Sequence, residues 1–192
     1  MTNIQLPLVH RKRWTVEEFD RLTDLGAFAD EKIELLDGEL SEKMSQNEPH
    51  ARCVLLMQYK LMQIFGLGFV VRVQLPLRLD NSKPEPDVAV VGGDLRGPIE
   101  MPTDALVVVE IADSTLQTDR DVKSHIYARA GIAEYWIVNL NARQIEVRRQ
   151  PQADATQPLG FAYASLQTLG ADDQLSPLAL PGVSFSVADV LP

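Results

Sequence analysis

Apolar residues recur along the chain with two periods, and the points where one gives way to the other predict its elements. Trp14-Thr15-Val16-Glu17-Glu18-Phe19 carries a helix start, with Thr15 as N-cap and Glu18 three residues later completing a capping box, so a short helix is predicted to about Leu25. Ile33 to Leu40 sets Asp37-Gly38 between two apolar stretches, the sequence signature of a tight hairpin. From Asn47, a capping residue, to Gly66, the residues Val54, Leu55, Met57, Leu61, Met62, Ile64 and Phe65 recur at helical spacing and predict the longest helix. Phe69 to Leu79 alternates, placing Val71, Val73, Leu75, Leu77 and Leu79 on one face, and Pro76 predicts a bend or an edge.

Two uniformly apolar runs follow, Asp87 to Val91 ended by Gly92-Gly93, and Ala105 to Ala112, which suits an interior strand covered on both faces. Asp119 to Ala130 reads as a helix through Val122, Ile126 and Ala130, closed by Gly131, and Glu134 to Leu140 as another strand. A turn at Asn139 to Ala142 leads into the alternating strand Gln144 to Arg149. A polar loop is predicted from Gln150 to Gly160, then short strands around Phe161, Tyr163, Val183, Phe185 and Val187. The pattern is that of an α/β protein in one domain over residues 1–192, with a core at about 14–150 and C-terminal strands at about 160–190.

Composition narrows the picture. With 192 residues, 45% hydrophobic and 23% charged, the chain has the make-up of a globular domain large enough to close a core without disulfides. The single cysteine, Cys53, falls in the apolar pattern of the long helix and reads as a buried thiol in a reducing compartment. Neither a signal-peptide core nor an apolar stretch of membrane-spanning length is visible, so a cytoplasmic location away from membranes is expected. The formal charge of −9 argues against a broad basic surface that grips nucleic acid through phosphates alone. Bound divalent cations, or a dimer that gathers its arginines and lysines along one groove, would weaken that objection.

Chemistry enters with Glu110, a carboxylate inside an apolar strand. An ionised side chain there costs several kcal/mol unless a cation, a hydrogen-bond network or a raised pKa compensates; the plain alternative is a strand end that meets water. Asp87 opens the neighbouring run, and if the two runs pair, Asp87 and Glu110 face one another with the oxygens a hard ion such as Mg²⁺ needs. The next helix offers Lys123, beside Val122 on its buried side; by position alone it reads as a solvated lysine, and only its company promotes it. Two carboxylates and an ammonium are what metal-assisted phosphodiester hydrolysis requires. His10, His50 and His125 show no zinc spacing, and no glycine loop fits a phosphate cradle. Tyr135 and Trp136 read as core or dimer-interface packing, and Arg11-Lys12-Arg13 and Arg148-Arg149 as solvated surface or phosphate contacts.

Pro86-Asp87, Val109 to Thr115, Asp119 to Lys123 and Tyr127 to Val138, with the upstream Glu34 to Leu40 and His50, resemble the Uma-type putative restriction endonuclease family of the PD-(D/E)XK nuclease superfamily, over roughly Trp14 to Val187. The resemblance implies a mixed central β-sheet flanked by helices, dependence on Mg²⁺ with Mn²⁺ as a substitute, homodimerisation, and Asp87 and Glu110 as metal ligands. In the superfamily pattern a lysine sits two residues after the acid on the same strand. Here that position is Ala112, and the resemblance moves the role onto Lys123. Glu39 and His50 match supporting positions: Glu39 to bind a second metal or position water, His50 to cap the helix or hydrogen-bond locally.

The expectation is a metal-dependent endonuclease acting on DNA, with Asp87, Glu110 and Lys123 as its catalytic set. No separate target-recognition segment is visible, so high sequence specificity is not expected. Two alternatives keep the fold: a dimeric, catalytically inactive module that binds nucleic acid or protein, which the acidic charge favours, and a phosphodiesterase acting on small nucleotides.

Overall fold

The structure is a computed structural model that describes residues 12–97 and 100–192; His10 and Arg11 lie outside them. Helix α1 (Val16–Asp24) begins with the predicted box, Thr15 accepting from the Glu18 amide while the Glu18 carboxylate accepts from the Thr15 amide. Strands β1 (Ile33–Leu36) and β2 (Glu39–Glu42) form the predicted hairpin. Its turn needs positive φ at both Asp37 and Gly38, and a Cβ at Gly38 would stand 2.9 Å from the Arg13 Cβ, so glycine is required there. Helix α2 (Glu48–Phe65) is capped by Asn47, whose side chain accepts from the His50 amide.

A six-stranded mixed sheet follows, built from β3 (Phe69–Val73), β4 (Val88–Gly92), β5 (Val107–Ala112), β6 (Glu134–Asn139), β7 (Gln144–Ala153) and β8 (Phe161–Gly170) in that spatial order. Only β5 and β6 are parallel, as expected of the pair whose connection carries a helix. One face packs Val88, Val90, Val107, Val109, Ile111 and Val138 against α2. The other packs Ala89, Val91, Val108, Ala112, Tyr135 and Ile137 against the β5–β6 crossover. Both faces of β5 are therefore covered, which is why its sequence is apolar apart from Glu110. Among the described residues no helix is long and apolar enough to cross a membrane.

Several expectations shift. On α2 the inward stripe is Cys53, Val54, Met57, Leu61 and Phe65, while Leu55 and Met62 are 65% and 57% exposed; the helix carries more apolar residues than one stripe can bury. The alternating run after Phe69 is a strand only to Val73. Gln74 adopts a positive φ, and Leu77 and Leu79 are buried from an irregular segment whose amides donate to Pro84 and Ser82. The first four residues of the predicted polar loop, Gln150 to Ala153, belong instead to the outer half of β7, whose pairing with β8 runs from Arg149 opposite Ser165 to Ala153 opposite Phe161. Polar residues serve there because this edge hairpin meets water. Among the late residues, Phe185–Ser186 forms a short strand with Gln174–Leu175, whereas Val183 lies outside it. Trp136 and Tyr135 are fully buried in the core, and Cys53 is buried as expected.

The crossover differs most from its sequence reading. It runs without a break through a helical turn at Leu116–Thr118, a π-helical turn at Asp119–Lys123, and α3 (Ser124–Arg129). In the π turn the Ser124 amide donates to the Asp119 carbonyl, five residues back. The wider turn rotates the face, so that Asp119 and Lys123 are buried and Val122, expected inward, is 39% exposed. The Tyr135 hydroxyl also donates to the Asp119 carbonyl, at 3.1 Å.

Candidate active site

The β4–β5 register pairs Val88 with Val109; continued by one residue it sets Asp87 against Glu110, on the sheet face that carries the crossover. Both carboxylates are buried, at 5% and 3% exposure. Asp87 Oδ2 accepts from the Ile111 amide at 2.8 Å and meets His50 Nε2 at 3.1 Å. Burial pushes its pKa up, but the His50 and Ile111 hydrogen bonds and the nearby Lys43 charge outweigh that and hold it below the usual range.

Glu110 differs. Its Oε1 accepts from Lys123 Nζ at 3.0 Å and from the Tyr127 hydroxyl at 2.8 Å. Burial, and the charges of Asp87, Asp119 and Glu34, outweigh the Lys123 attraction and push it up to about 8. Asp119, also buried, is pushed up to about 6 although Lys123 and the Thr115 hydroxyl oppose the shift. Burial lowers the Lys123 pKa, but the surrounding carboxylates more than reverse this, and the ammonium stays charged. Three carboxylates, Glu34, Glu110 and Asp119, thus act on one buried lysine, with Asp87 beside Glu110 and His50 and Lys43 at the edge: a surplus of negative charge that asks for a cation.

The structure brings Asp87, Glu110, Lys123 and His50 together around a cavity of about 120 Å³. The π turn is what delivers Lys123: Ala112 lies on the same face of β5 as Glu110, and Lys123 from the crossover fills the space before that face. Glu39 is not brought there. It is exposed at the hairpin turn, 3.7 Å from Arg13 Nη2. Glu34 takes the place instead, buried at 4% exposure, with Oε1 3.2 Å from Lys123 Nζ and Oε2 accepting from the Glu85 amide at 3.2 Å. The signal for Glu34 was the one that marked Glu110, a carboxylate in an otherwise buried apolar strand. Asp37, bonded to Arg129 at 2.7 Å and to Arg13, ties the hairpin to α3 and fixes Glu34 in place. The described residues of the basic runs do not line the cavity: Lys12 pairs with Glu18, Arg148 with Glu146 and Arg149 with Glu134.

Among the described residues no three His, Cys, Asp or Glu side chains already converge on one metal position. The donor set still fits a hard divalent ion. The hydrogen bonds given above engage Asp87 Oδ2 and Glu110 Oε1, which leaves one oxygen on each, and Mg²⁺ takes one or two carboxylates and keeps its waters.

The fold is similar to that of a crystal structure described as a putative nuclease belonging to DUF820 from Anabaena variabilis, at 14% identity and a TM-score of 0.68, covering 92% of this chain and 96% of that one. No curated protein matches the chain at a significant level. A profile of the Uma2 family, described as putative restriction endonuclease, matches residues 16–188. The chain belongs to the Uma2 family of putative restriction endonucleases.

Proposed function

We propose that this protein is a metal-dependent endonuclease that hydrolyses phosphodiester bonds in DNA, with Asp87 and Glu110 holding Mg²⁺ and Lys123 as the third catalytic group. The observation that carries the reading is the buried ammonium of Lys123, 3.0 Å from Glu110, beside an Asp87 that faces the same cavity. A bound Mg²⁺ would supply Lewis-acid stabilisation of the phosphoryl oxygens and acidify a water.

The chain's own groups do the rest. His50 and the Ile111 amide hold one oxygen of Asp87 and leave its other oxygen free, where it would be available to a cation. Tyr127 does the same for Glu110. Lys123 presents a permanent positive charge to the oxygens of the pentavalent phosphorus. Being buried, that charge acts in a medium where it is worth more than in water. The surplus of carboxylates keeps the lysine protonated, which assigns it charge stabilisation and water orientation rather than the role of a base.

The test is cleavage of supercoiled plasmid and of single-stranded circular DNA in Mg²⁺ or Mn²⁺ by the native protein, Asp87→Ala and Lys123→Ala; native cleavage of at least one of the two DNAs, lost in both variants, is expected, and equal cleavage by all three proteins overturns the assignment. A second reading, a binding module without catalysis, draws support from the acidic charge and from the pairing of the basic runs with carboxylates of the same chain. Thermal stabilisation by Mg²⁺ that vanishes in Asp87→Ala is expected for the enzyme and not for the module; at a concentration one hundred times the Kd it amounts to about 2.7 kcal/mol.

A further inference from the structure

A second cavity, of about 420 Å³, adjoins the first and shares Lys43, Met44 and Gln46 with it as a common wall. Its size falls within the roughly 300–1,000 Å³ of small-ligand pockets. One wall is aromatic: Phe28, stacked on the buried Phe19 with ring centroids 5.6 Å apart and planes at 26°. The polar residues of its lining are Gln46 and Gln74, with side-chain amides, Thr23, the lysines Lys32, Lys43 and Lys83, and the carboxylates Glu31 and Glu85. The cavity is also built onto the segment that carries Asp87. The Gln74 amide donates to the Asp87 carbonyl at 3.2 Å, and Lys43 Nζ donates to the Glu85 carbonyl at 2.6 Å.

An aromatic face beside side-chain amides is the chemistry that recognises a nucleobase, which stacks by its π-face and hydrogen-bonds along its edge. A lysine on the shared wall stands where a phosphate would pass between the two cavities. Duplex DNA fits this surface poorly. Its bases are paired and stacked away from such a pocket, and it is held through many phosphates by unpaired cations, whereas this chain carries a net charge of −9 and, among the described residues, pairs six of its arginines with its own carboxylates.

We propose that the second cavity binds the base of the nucleotide next to the scissile phosphate, and that the substrate class is single-stranded DNA. This rests on the nuclease reading of the first cavity. The experiment is fluorescence anisotropy, in Ca²⁺, of a labelled thymidine decamer, a decamer of abasic sites with the same phosphates, and a duplex decamer. The native protein, Phe28→Ala, Phe28→Tyr and Gln46→Ala are compared, with thermal melting to establish that each is folded.

The native protein is expected to bind the thymidine decamer about tenfold more tightly than the abasic one, and more tightly than the duplex. Phe28→Ala removes most of that preference, Gln46→Ala part of it, and Phe28→Tyr retains it. Equal binding of the thymidine and abasic decamers by the native protein, or a preference unchanged in both Phe28→Ala and Gln46→Ala, overturns the proposal, as does tighter binding of the duplex. Binding needs no turnover, so failure of the nuclease reading shows separately, as the absence of cleavage of any of the three DNAs in Mg²⁺.

Discussion

Glu110 and Glu134 are both buried glutamates on neighbouring strands of one sheet, at 3% and 0% exposure, and they are opposite kinds of residue. Glu134 is closed. Its Oε1 takes a fork from Arg149, Nε at 2.8 Å and Nη2 at 2.5 Å, and its Oε2 takes the Leu178 amide at 2.8 Å. One positive charge answers one negative charge, and every oxygen has a partner. Glu110 shares its single lysine with Glu34, and Asp87 and Asp119 add charge of the same sign. Burial therefore does not distinguish a site from a structural ion pair. A local charge left unbalanced does, because folding alone gives no reason to concentrate it.

Neutralising each glutamate tests that contrast, and the largest effect belongs to Glu134→Gln. Removing one partner of a buried pair leaves Arg149 uncompensated, at a cost of about 3–5 kcal/mol or a fall in Tm of about 10 °C, discounted toward the lower end because Arg149 is partly exposed. Glu110→Gln relieves repulsion and keeps an oxygen for Lys123 and Tyr127 to bond. At pH 8.5 without metal it should melt no lower than the native chain. Calorimetry or circular dichroism reads both, and a large destabilisation by Glu110→Gln would place that residue with Glu134.

The next effect concerns Lys123. On the proposed mechanism its removal takes away the buried positive charge that would face the reacting group, and kcat should fall about 10²–10³-fold with KM little changed. Ala112 is fully buried on the Glu110 face of β5, two residues along, where the superfamily pattern has its lysine. In the double variant Lys123→Ala with Ala112→Lys, part of the lost kcat should return in single-turnover kinetics. No recovery, with the double variant folded, would mean that Lys123 does something a lysine on the strand cannot.

The sheet and the hairpin were legible because local rules govern them. Asp37-Gly38 admits one tight turn, and a strand apolar on both faces, such as Val107–Ala112, fits only the interior. Asp87 and Glu110 were legible for the same reason, as carboxylates out of keeping with their strands. The face of the crossover helix was not. A regular helix sends Val122 inward, and the π turn that buries Asp119 and Lys123 instead depends on an i to i−5 bond and on Tyr135 donating to the same Asp119 carbonyl, neither of which leaves a periodic trace. Glu39 and Glu34 flank the same hairpin, and its three-dimensional course turns Glu34, the carboxylate set among apolar neighbours, toward the site and leaves Glu39 beside Arg13.

The smallest effect is the dependence of stability on pH. Glu110 is raised from 4.5 to about 8 and Asp119 from 3.8 to about 6, so between those limits the folded chain holds protons the unfolded chain has released. Their contribution is complete below the unfolded pKa values and is lost as pH rises through the folded ones, so the metal-free protein should lose stability from about pH 4.5 to 8. Asp87 and Glu146 are lowered and act in the opposite sense, but only at more acid pH; Lys123, raised from 10.5, contributes evenly across the window. Glu110→Gln should flatten the limb between pH 6 and 8, and saturating Mg²⁺ should remove it, because a cation that needs both carboxylates ionised reverses the preference for the proton. Denaturant melts across that range, with and without Mg²⁺, measure the slope. A native slope that Mg²⁺ leaves untouched would show that the unbalanced charge at Glu110 is not where the metal binds.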